Sequence, residues 1–119
     1  MKKSTFDNEP LLVADEAEQV RVSFGVEKVK ELFPSLDDKE PVEREVYKAY
    51  VVRVDKPVTR GNVIDKIVSE KYPNDVMQAV INNHLMEKPS AEHEQEFNDM
   101  QAWRQMAKTI ADDVMEEIA

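Results

Sequence analysis

Two His-x-x-Glu spacings are the first places where side chains of this sequence could do chemistry together: His84 with Glu87, and His93 with Glu96. On a helix each pair lies one turn apart, so imidazole and carboxylate share a face and could meet one metal ion. Pro89 interrupts the segment, and glutamate recurs throughout the chain. Solvated side chains on exposed faces are therefore the expected reading. No metal site is predicted, with these four residues as the candidates if one exists.

The carboxylate pairs Asp37/Asp38, Asp112/Asp113 and Glu116/Glu117 are adjacent in sequence. Neighbours on a helix diverge by about 100°, so such pairs do not converge as a general acid and base. Asp112 with Glu116, and Asp113 with Glu117, do face each other at i,i+4. They repel there and oppose the negative end of the helix dipole. Either they form a solvated helix end, or they dock on a basic surface supplied by Arg60, Lys66 and Lys71 or by a partner. No G-x-S-x-G surrounds any serine, and Gly25 and Gly61 are the only glycines, so neither a nucleophile elbow nor a phosphate-cradling loop can be assembled. The expectation is a protein that is not an enzyme and has no cofactor.

Composition narrows the classes further. The 119 residues contain no cysteine, which excludes disulfides, thiolate metal sites and cysteine nucleophiles. A thiol-free chain suits the reducing cytosol. Lys2 and Lys3 are followed by no apolar run, and no window approaches the roughly 20 apolar residues of a membrane span, so a cytoplasmic protein is expected. The net charge of −9 argues against nucleic acid and anionic membranes as partners. Residues 1–44 sum to −4, residues 45–73 to +2 and residues 74–119 to −7. A mildly basic centre thus lies between acidic ends.

The elements that would position these groups follow from periodicity. Residues 1–18 are predicted as a flexible acidic leader and 19–119 as a single α+β domain. Val20, Val22 and Phe24 alternate as in a half-buried strand over 19–24, although Ala17, Val20 and Phe24 also fit a helix. Val26, Val29, Leu32 and Phe33 recur at three and four residues, which predicts a short helix ending before Pro34. Residues 35–43 read as an exposed loop. Residues 45–54 (EVYKAYVVRV) form the clearest strand. Thr59 is a plausible N-cap for a helix near 60–72, Pro73 stops it, and a second helix follows near 75–86. Ser90 opens a last helix over 91–118, about 42 Å long if unbroken. Its seam of Met100, Trp103, Ile110 and Val114 is either core or interface, because a compact domain of this size is only roughly 35 Å across.

Thr59, Arg60, Ile64, Ile67, Asn74, Val76, Val80, Ile81 and Leu85 resemble the first two helices of histone-like nucleoid DNA-binding proteins. In that family basic β-arms follow the helical pair and contact DNA, whereas here an acidic helix follows, so no functional residue carries over. The stretch Val51 to Arg60 (VVRVDKPVTR), with Asn82 to Leu85 (NNHL) and Gln101 to Arg104 (QAWR), is similar to small bacterial and prophage-type proteins of unknown function.

Together these readings predict a helix-rich α+β fold: a short two-stranded or slightly larger sheet against four helices, with an all-α fold as the alternative. They point to a non-catalytic interaction or structural protein, such as an accessory protein of a mobile element. It would engage a protein partner or a second copy through Met100, Trp103, Ile110, Val114, Asp112, Asp113, Glu116 and Glu117. The alternative is a nucleic-acid-associated protein using 59–85.

Overall fold

The computed structural model describes residues 1–35 and 40–119. The elements run β1 (Ser4–Phe6), β2 (Val13–Glu16), β3 (Gln19–Phe33), β4 (Val42–Asp55), α1 (Arg60–Lys71), α2 (Asn74–His84) and α3 (Ala91–Ile118). The α+β class holds, but the predicted architecture is corrected twice. Among the described residues the sheet has four antiparallel strands in the order β1-β4-β3-β2, where two or slightly more were expected, and there are three helices rather than four. Both added strands come from residues 1–18, the segment expected to be a leader. Asp37 and Asp38 lie outside the described residues.

The lost helix has a specific cause. Residues 26–33 are the outer half of β3, and Gly25 is a bulge inside a continuous strand rather than its end. Phe24 faces Tyr50 and Glu27 faces Lys48, so three steps along β3 match two along β4. Gly25 absorbs the extra residue at φ +62°, the left-handed conformation of a glycine bulge. A Cβ at this position would lie 3.0 Å from Tyr50 Cδ2. Beyond the bulge, pairing with β4 overrides the helical spacing of Val26, Val29, Leu32 and Phe33.

One face of the sheet carries Val20, Val22 and Phe24 from β3 and Val52 and Val54 from β4. These pack with Val63, Ile67 and Val68 of α1 and with Trp103, Ala107, Ala111 and Val114 of α3. Alanines at 107 and 111 let the long helix lie close to its neighbours. Because β1 and β2 occupy opposite edges, residues 7–12 carry the chain from one edge to the other. Leu12 O accepts from Ser23 N at 3.0 Å, and Ser23 and Ala49, on the face away from the helices, are buried.

Local signals fix the helix starts. Thr59 Oγ1 accepts from Asn62 N and Ser90 Oγ from His93 N, both at 3.1 Å, satisfying otherwise free first-turn donors. α2 begins at Asn74 with Pro73 at the N-cap position and no side-chain cap. The molecule measures 61 × 39 × 20 Å with a radius of gyration of 18.1 Å, against about 13.5 Å for a compact chain of this length. That elongation accommodates α3 along its whole length.

Two substitutions of opposite sign test this backbone. Gly25→Ala should cost about 1–3 kcal/mol, since it combines left-handed strain with a contact against Tyr50. Ala17 holds φ +60° in the β2–β3 turn, so Ala17→Gly should add about 0.5–1 kcal/mol. Urea denaturation reads both; equal stability of the Gly25→Ala protein would contradict the bulge.

Candidate interaction surface

The C-terminal helix does not expose its seam. Met100 and Val114 are fully buried and Trp103 nearly so, which makes all three core residues of this chain. The Trp103 ring lies 5.2 Å from Tyr50 and 5.9 Å from Phe24, centroid to centroid. Its Nε1 donates to Ile67 O at 3.0 Å, and the Lys71 ammonium sits 4.3 Å over the ring. The sheet, α1 and α3 meet at this one indole. Ile110 is half-buried, while Asp112, Asp113, Glu116 and Glu117 are exposed. Asp112 accepts from Arg60 Nε at 2.6 Å, so one of the three predicted basic partners is used. Lys66 instead pairs with Glu70 at 3.3 Å, and Lys71 serves the indole.

The candidate metal residues separate. α2 ends at His84, so Glu87 is not a helical turn further along. The His84 ring stacks on Phe97 at 3.7 Å and 3°. Its Nδ1 is 3.1 Å from Glu94 Oε1, close enough for an ion pair when the ring is protonated, although no hydrogen bond forms in this arrangement. His93 lies in the first turn of α3 with Nδ1 buried and unpartnered, and Glu96 is exposed further along the same helix. Among the described residues, no group of three or more His, Asp or Glu side chains could hold a metal ion. His84 and Phe97 act as a packing pair between α2 and α3.

What the sequence did not reveal is an arm. Beyond the bulge, residues 27–33 of β3 and 42–48 of β4 pair with each other, while β2 reaches only Val22 and β1 only 47–49. Most of this ribbon is exposed, including Leu32 at 69% and Val42 at 53%, as is Val26 in the bulge at its base; Val46, opposite Val29, is its buried residue. Ion pairs tie the two strands together: Lys28 to Glu45 at 3.0 Å, Lys30 to Glu43 at 3.9 Å and Lys48 to Glu31 at 2.5 Å. The hydrogen bond and charge of Glu45 hold the Lys28 ammonium above its ordinary pKa range. Arg44 covers the Phe33 ring at 4.0 Å. Four bases (Lys28, Lys30, Arg44, Lys48) balance four acids (Glu27, Glu31, Glu43, Glu45) over these two stretches. The only sequence signal was this reciprocal Lys/Glu pattern, which has meaning only once the register is known.

Among the described residues, no helix is long and apolar enough to cross a membrane. Comparison with protein-family models, curated proteins and solved structures finds no match.

Val29 and Val46 face each other, so an Asn-Gly turn between them can replace residues 30–45 without breaking the inner hairpin. Such a chain should keep its helical circular dichroism and Trp103 fluorescence, with a stability loss no larger than about 2 kcal/mol. Global unfolding of this variant would mean that the outer ribbon belongs to the core.

Proposed function

We propose that this chain is a non-catalytic interaction module that engages another protein through the β3–β4 arm. The projecting ribbon, neutral in sum and studded with exposed Val26, Leu32 and Val42, is the observation that carries the reading. Its outer edges offer unpaired backbone groups, the usual template for strand addition. Lysine and glutamate along both edges disfavour indiscriminate pairing, so a partner must match their charges. The balanced arm supplies no positive field for a phosphate backbone, which favours protein over nucleic acid. Action in the reducing cytosol accords with a chain that has no thiols.

The test is affinity capture from the organism of origin with the full chain and with the arm-shortened chain as paired baits, quantified by mass spectrometry. A partner retained by the full chain and lost from the folded short chain is the expected result. A partner bound equally by both would place the function elsewhere and overturn the arm's role.

A further inference from the structure

We propose that the open cleft between α2 and α3 receives a lysine or arginine side chain presented by a protein partner. This inference rests on the reading of the chain as an interaction module, but it uses a surface separate from the arm. The cleft encloses about 530 Å³. Val76, Ala79 and Val80 make its apolar wall, and Asp75, Glu96 and Asp99 stand around it. No basic side chain is among the described residues that line it.

Two features select the occupant. An apolar wall beside carboxylates matches a long aliphatic stem ending in a cation, which can bury its methylenes and keep its head among charges. Val76 is 41% exposed in the first turn of α2. The carboxylates are not disposed as a metal-binding group, so they suit a diffuse organic cation rather than a hard ion. Asp99 already accepts from Gln95 Nε2 at 2.7 Å, which steadies its carboxylate at the lip. Burial, and secondarily the charge of Asp99, keeps the neighbouring Tyr72 phenol above its ordinary pKa, hence neutral and able to donate. Lys71, the cation next in sequence, lies 4.3 Å over the Trp103 ring and 5.8 Å from the Tyr72 ring, and does not itself line the cleft. The −7 sum of residues 74–119 would steer a cationic segment toward this end. An open cleft encloses little of a free small amine, so the side chain must be held in place by the rest of a partner.

The probe is the peptide acetyl-Arg-Leu-Arg-Leu-Arg-amide, titrated at about 0.15 M salt, where long-range surface charge is largely screened, into the ¹⁵N-labelled full chain. Saturable amide shifts confined to residues 72–83 and 95–100 are expected. The double variant Glu96→Gln/Asp99→Asn should weaken binding about tenfold or more, as expected for losing charge-assisted hydrogen bonds. The variant Asp112→Asn/Glu116→Gln and the arm-shortened chain should bind as the full chain does. Equal weakening by both acidic variants would reduce the effect to net charge and overturn the proposal. So would failure of the short chain to bind, because the peptide would then be reading the arm. Spermidine binding at the same residues as tightly as the peptide would assign the cleft to a small polyamine and equally overturn it. A cleft that fails while arm-dependent capture succeeds leaves the interaction reading in place.

Discussion

Trp103 sits where three layers meet, with Phe24 and Tyr50 of the sheet on one side and the Ile67 carbonyl of α1 on the other. The indole is large enough to fill the gap between a twisted sheet and two helices, and its N–H must find an acceptor once buried. Ile67 O meets that need, which fixes how α3 lies relative to α1. From there the seam continues through Ala107, Ala111 and Val114 over the valines of β3 and β4. Arg60 and Asp112 add a clamp at the surface, of the kind that contributes at most about 1 kcal/mol. The apolar packing decides the arrangement and the ion pair decorates it.

The bulge at Gly25 separates what this packing holds from what it does not. On the inner side the hairpin is covered by helices on one face and has buried Ser23 and Ala49 on the other. On the outer side the two strands have mainly each other. A two-stranded ribbon is marginal by itself, but here it grows out of a sheet whose register is already set. Its strands are drawn together by Lys28–Glu45, Lys48–Glu31 and the Arg44–Phe33 stack. The molecule therefore divides into a well-packed body and an extension with little share in the body's stability, which suits a contact surface better than a scaffold.

Much of the body was legible in the residues. Thr59, Pro73 and Ser90 marked the bounds of the helices near 60–72, 75–86 and 91–118, and the Val- and Tyr-rich run at 45–54 marked most of β4. The outer hairpin was not legible, because Val26, Val29, Leu32 and Phe33 satisfy a helical period as well as a strand. Only the opposite strand decides between them. The short strands at 4–6 and 13–16 have too little periodicity to announce themselves and exist by adding to the edges of a formed hairpin. The seam of α3 was visible, but its destination was not. An assumed compact body was too short for it, whereas the elongated sheet is not. The His84–Glu87 spacing does not become a helical turn because α2 stops at His84.

The central claim is that a bulge divides one long hairpin into a core half and an independent arm, and amide hydrogen exchange measures that division directly. Amides of residues 19–24 and 49–55 that are bonded in the ladder should exchange only through global unfolding. Those of 27–33 and 42–46 should exchange through local opening, with protection lower by about a hundredfold or more. Uniform protection along both strands would contradict the account, because it would show the arm to be as firmly held as the core.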